Sequence, residues 1–439
     1  MDPLFIGLIT VVLLFILILL GVHIGVSLAI MSVLGVWWIV GKASVAVGLL
    51  GTVAFSSIMN YTLGVVPMFV LMGLMTNVSG ATKDLYDAAN VWFGRLRGGL
   101  GIATVIANAV FSAVSGVSIA SAAMFSKISL PQMLAHGYDK KLALGTVAGS
   151  SLLGMLIPPS ILLILYGVLA NESIGKLFIA GVLPGILLVV IYSVGISLMV
   201  RFRPHLVRET ATSGAEKDFK KISLVTLKSW GVMALILLVL GGIYCGFFTP
   251  TEAGGIGAFG ALVLAVVKRR LTWANAWNTL LETGYVTASI FFLLIAAQMY
   301  SRMLAISGLA SWVSEFCSSL PVPPIVIIIF FMLIYIVMGM VLDSISMLLI
   351  TIPLMMPVVR ALGLDPVWFG IICVVAIEMG LLTPPFGLVV YTMKAALGDE
   401  VTIEEIFMGA FPFLIMMLIF LICLVAFPSI TLWLPNLGQ

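Results

Sequence analysis

Charge is what this sequence has least of. Asp, Glu, Lys and Arg make up 9% of its 439 residues, against 62% hydrophobic residues. A soluble domain carries about 25% charge, so a soluble globular fold is excluded. The formal net charge of +3 is slight, and the basic residues sit at the edges of apolar runs. A nucleic-acid partner is therefore not expected. There are three histidines and four cysteines. Cys245, Cys317, Cys373 and Cys423 are scattered through apolar surroundings, without metal-ligand spacing or a disulfide framework. No cofactor is implied. A membrane enzyme or quinone-linked subunit would need His or Cys ligands, or a catalytic pair, at membrane depth. These are lacking, so the chain does not read as an enzyme.

What is present is a series of apolar runs near 20 residues, enough to cross roughly 30 Å of hydrocarbon. The fold class expected is an all-α polytopic membrane protein, with membrane lipid as its surroundings. Spans are expected near 4–22, 24–41, 61–79, 142–170, 177–200, 230–247, 252–267, 284–304, 367–395 and 404–433. The first run has Asp2 rather than a basic residue before it, and reads as a retained span, not a signal peptide. Two other stretches, 99–133 and 323–358, are interrupted at mid-length by SAVSGVS (112–118) and GMVLDS (339–344). Each arm is then about 15 residues, or roughly 23 Å of helix. That length suits a re-entrant helical hairpin. Segments 142–170 and 367–395 each contain a Pro-Pro pair, where a helix must break.

These features occur twice. Residues 118–159 align with 344–385 at a constant offset of 226, without a gap. The identical pairs include Ser118/Ser344, Asp139/Asp365, Gly154/Gly380, Pro158/Pro384 and Pro159/Pro385. Basic residues at 83–97, 140–141, 201–228 and 268–270 fall on one side when spans are counted, assigned to the cytoplasm. The first hairpin then opens to the cytoplasm and the second to the outside. The chain reads as inverted-topology repeats, 1–200 and 229–439, joined by a cytoplasmic linker at 201–228.

The chemistry is expected at the hairpin tips and helix breaks. Helix ends there offer free carbonyls and free N–H groups. Carbonyls and hydroxyls suit a small alkali cation; N–H ends suit a carboxylate. The first cation site would use Ser115, Gly116, Ser118, Gly149, Ser150, Ser151 and Gly154. The second would use Gly339, Asp343, Ser344, Glu378, Gly380 and Thr383. Ser118, Ser344, Pro158 and Pro384 would face substrate. Asp343 could neutralise a bound cation. Glu378, an ionisable residue in an apolar span, could bind a cation, carry a proton or pair with Arg302. FTPTEAGG (248–255) reads as a tight helix connection, with Thr249 or Thr251 as a cap.

With SGVSIAS (115–121), GSSLLGMLIPPS (149–160), GGIYCGFFTPTEAGG (241–255), LDSISM (342–347) and EMGLLTPPFG (378–387), the chain resembles the large, DctM-type membrane subunit of tripartite ATP-independent periplasmic (TRAP) transporters. The resemblance spans essentially the whole chain. It implies a bacterial inner-membrane, multi-pass secondary transporter with an elevator movement and Na+ as coupling ion. It further implies a small four-span DctQ-type subunit and a DctP-type periplasmic substrate-binding protein. Family substrates are small organic acids such as dicarboxylates and sialic acids. Family sodium sites lie at hairpin tips and facing breaks, which falls on Ser115, Gly116, Ser118 and 149–154, and on Asp343, Ser344, Gly380 and Thr383. Hairpins and broken helices, about 80–170 and 305–395, would form a mobile domain. The first two spans and the last long helix of each repeat would form a static scaffold. The alternatives are a stand-alone divalent-anion sodium symporter of similar architecture and, in another class, an ion channel. A channel would need a continuous polar pore, whereas these sites look closed and paired.

Overall fold

The computed structural model describes residues 2–94, 96–207 and 226–437. Arg95 and most of the expected linker, including Arg208, Lys217, Lys220 and Lys221, lie outside the described residues. The described chain is helical, without a strand. Seven of its helices are long and apolar enough to cross a membrane. Helices dominate because each satisfies its own backbone groups where no water can.

The first half comprises α1 (Pro3–Leu19), α2 (Ile24–Val40), α3 (Ala43–Ile58), α4 (Val65–Val78), α5 (Ala81–Phe93), α6 (Gly99–Ser115), α7 (Ser118–Ala135), α8 (Lys140–Ser151), α9 (Leu153–Leu156), α10 (Ile161–Ala170) and α11 (Ile174–Phe202). The second comprises α12 (Trp230–Tyr244, with a π-helical stretch), α13 (Pro250–Val267), α14 (Trp273–Ser307), α15 (Leu309–Ser319), α16 (Pro324–Gly339), α17 (Ser344–Ala361), α18 (Pro366–Gly380), α19 (Leu388–Leu397), α20 (Ile403–Ala426) and α21 (Ser429–Leu437). α3, α5 and α15 do not appear among the expected spans. α14 is longer than the expected 284–304, and the expected 404–433 span divides into α20 and α21.

The duplicated residues have local reasons. Asp139 and Asp365 are N-caps: each carboxylate accepts from two backbone N–H groups at the start of α8 or α18. Gly137 and Gly363 take positive φ, +77° and +67°, in the turn just before. The Pro158–Pro159 and Pro384–Pro385 bonds are both cis. The tips differ. The first closes on Gly116 at φ +64°. The second is a longer turn, Met340–Asp343, ended by Asp343 capping α17.

Contacts sort the helices into two groups. α1–α4 pack with α12–α14, principally α4 on α13 and α2 on α14. Hairpins and broken helices form the other group. There α7 packs on α19 and α17 on α10, so each hairpin's second arm meets the other half's broken helix. The last long helices pack against this group. α20 packs on α8 and α18, and α11 on α6, α10 and α18. The α8–α20 contact is backbone to backbone: a Cβ on Gly145 would lie 1.9 Å from the Gly409 carbonyl oxygen. Small residues permit such close approach, and dispersion then holds the pair.

Candidate functional site

Glu378 is the meeting point of the two halves. It lies on the last turn of α18 and is fully buried. The Ser118 hydroxyl, at the tip of the first hairpin, donates to its Oε2. The Ser344 hydroxyl, at the tip of the second, donates to its Oε1 at 3.0 Å. Each serine is the first residue of an 18-residue helix, so the carboxylate lies beside two helix N-termini. That is where a negative group is favoured. Arg302 is not its partner. No ion pair joins them among the described residues, and Arg302 is exposed on α14.

Glycines set the spacing. A Cβ on Gly154 would fall 2.8 Å from the Ser118 backbone, and one on Gly339 would fall 2.6 Å from the Gly380 Cα. One on Gly116 would fall 2.8 Å from the Pro159 carbonyl oxygen. Each tip is therefore packed against the break of its own half, as Ile161 N–H reaching the Gly116 carbonyl at 3.5 Å also shows.

The other expected residues divide. Ser115 is buried, and its hydroxyl has no hydrogen-bond partner among the described residues. Ser150 accepts from Asn108 Nδ2 at 2.9 Å. Ser151 donates to the Ala148 carbonyl, one turn back in its own helix. The open face of Gly149 abuts the Phe413 ring of α20. The Asp343 carboxylate is occupied by the N–H groups of Ile345 and Ser346 and by the Ser346 hydroxyl. Thr383 donates to the Met379 carbonyl at 2.9 Å. Pro158 is buried beside Gly181 of α11, whereas Pro384 and Pro385 are exposed and Phe386 is 55% exposed. The second break is thus open where the first is covered.

One residue was missed. Asn108, fully buried on α6, donates to Ser150 while its Oδ1 has no partner among the described residues. An asparagine inside an apolar arm, with Ser112 one turn later, was the available signal.

The broken helices run antiparallel. α8 begins where α19 ends, with Lys140 Nζ on the Glu400 carbonyl and on Glu405 at 2.7 Å. α18 begins where α10 ends. The Tyr166 hydroxyl meets the Pro366 carbonyl at 2.5 Å, and Arg360 meets the Ala170 carbonyl at 2.6 Å.

Residues 11–430 match the family model for the tripartite ATP-independent periplasmic transporter, DctM component. A C4-dicarboxylate TRAP transporter large permease protein of Pseudomonas aeruginosa is 35% identical over 87% of the chain and 88% of its own length. A sialic acid TRAP transporter large permease protein of Vibrio cholerae is 31% identical over 86% and 87%. The crystal structure of the Alcanivorax borkumensis YdaH transporter resembles the fold, with a TM-score of 0.59 at 15% identity, over 88% of this chain and 89% of that one.

Proposed function

The chain belongs to the DctM component family of TRAP transporters, a family of multi-pass permease subunits and not of enzymes; from that premise we propose that it imports a small organic acid, driven by a sodium gradient. Relatives named for C4-dicarboxylates and for sialic acid support a carboxylate substrate. The observation that carries the reading is the convergence of both hairpin tips on one carboxylate. A site shared by two halves can be opened from either side. The antiparallel broken helices, and contact pairs that recur when the halves are exchanged, support inverted repeats.

The movement proposed is an elevator, in which the hairpins, broken helices, α11 and α20 shift as a block against α1–α4 and α12–α14. Buried hydroxyl and carbonyl oxygens at tip and break, including Ser115, Ser150 and Asn108, are hard ligands suited to sodium. The membrane proposed is the bacterial inner membrane, with Lys140, Lys141, Lys228 and Lys268 on its cytoplasmic side. Lys141 shares a crevice with Arg203, and Lys268 one with Lys228 and Arg270, which gathers these charges. A DctQ-type small subunit and a DctP-type binding protein would complete the system. The test is uptake into proteoliposomes holding the chain and both partners. Uptake of the binding protein's ligand should need an inward sodium gradient and no ATP. Equal uptake under a potassium gradient contradicts the coupling.

A further inference from the structure

We propose that the Ser118–Ser344 hydroxyl pair is the carboxylate receptor of the substrate site, and that Glu378 fills it as an internal stand-in which the carboxylate of an arriving organic acid displaces. This rests on the organic-acid reading above.

Three observations lead here. First, the two hydroxyls take different oxygens of one carboxyl group, a two-point grip to which no other side chain among the described residues adds a hydrogen bond. Second, the architecture does not require a carboxylate at this position. At the repeat offset, Glu378 corresponds to Leu152, which is equally buried and equally well accommodated in the first half. Third, the receptor is held in shape by backbone, through the Gly154–Ser118 and Gly339–Gly380 approaches. The break that follows Glu378 in the chain, Pro384–Phe386, is exposed.

The grip holds one carboxylate at a time, because two on the same hydroxyls would repel. Displacement frees the Glu378 oxygens inside an apolar surround. A bare carboxylate there is costly unless a cation joins it. Anion arrival therefore creates cation affinity, which ties the two cargoes together by linkage.

The test is thermal unfolding of the purified full chain in detergent, with acetate as probe and acetamide as the neutral control. Glu378→Ala removes a group about the size of acetate. Acetate should raise the melting temperature of Glu378→Ala, acetamide should not, and the rise should vanish when Ser118→Ala and Ser344→Ala are added. No acetate-specific rise in Glu378→Ala, or an equal rise in the triple variant, overturns the proposal. If Glu378→Ala does not fold, Glu378→Gln keeps the volume while weakening the acceptor. Its half-maximal acetate concentration should then fall below that of the natural protein, and an unchanged value overturns the proposal. Unfolding needs no transport, so failed uptake with intact acetate rescue refutes the import reading and leaves this one standing. Uptake without rescue does the reverse.

Discussion

Replacing Ser118 with alanine removes one of two donors to a fully buried carboxylate. The size of the loss depends on what the acceptor is. Neutral hydrogen bonds between membrane helices average about 0.6 kcal/mol, reaching about 1.7 at most. A bond to an ionised group is worth about 1.5–3 kcal/mol. With Glu378 present, Ser118→Ala should therefore cost about 0.6 kcal/mol if the carboxyl is neutral, and about 2 if it is ionised. With Glu378→Ala already made, the hydroxyl has lost its partner and its removal should cost close to nothing. The coupling read from the four proteins should fall within about 0.5–3 kcal/mol, the range for groups in one network. Equilibrium unfolding in mixed micelles measures each corner of this cycle. An equal cost for Ser118→Ala in both backgrounds would refute the bridge between the first hairpin and the second half.

Asp343→Asn should keep the cap on α17, so stability should change by only a few tenths of a kcal/mol, whereas Asp343→Ala should lose about 1 kcal/mol. If Asp343 also serves the cation, the Asn variant should show a weaker sodium response in uptake. An unchanged response would leave the residue as a cap alone. Inverted topology is checked by single cysteines in a background lacking the natural four. A cysteine at Lys141 should resist an impermeant thiol reagent in intact cells, and one at Glu172, at the far end of the same broken helix, should react. Matching labelling at both would overturn the orientation.

The hairpins were legible because polar and helix-breaking residues punctuate them. The expected stretch 99–133 became α6 and α7, 99–135, and 323–358 became α16 and α17, 324–361. Ser, Gly and Pro mark the tips and breaks in a chain otherwise rich in interchangeable apolar residues. The repeat extends past the motif that revealed it. At the same offset α1 corresponds to α12, α2 to α13 and α11 to α20, relations that variable apolar residues conceal in sequence. α3, α5 and α15 escaped notice because each is shorter than a span, at 16, 13 and 11 residues. α5 is amphipathic, and most residues of α3 and α15 are not buried.

The site was half legible. Ser118 and Ser344 were expected to face one substrate and Glu378 was placed with the second tip, but the bond from Ser118 to Glu378 could not be read, since they lie 260 residues apart. Asp343 drew attention as a charge at a tip, yet its carboxylate is taken by its own helix. Gly149 was expected among the ligands, and its lack of a side chain makes room for Phe413.

The most direct test of the moving block is a pair of cross-links read by uptake. One joins α4 to α6 beside Gly73, where a Cβ would sit 3.0 Å from the Ser115 Cα, and so ties the frame to the first hairpin. The other joins α8 to α20 within the block. In proteoliposomes holding all partners, the first should arrest sodium-driven uptake until it is reduced, and the second should leave it running. Full uptake through a closed α4–α6 cross-link would contradict the elevator.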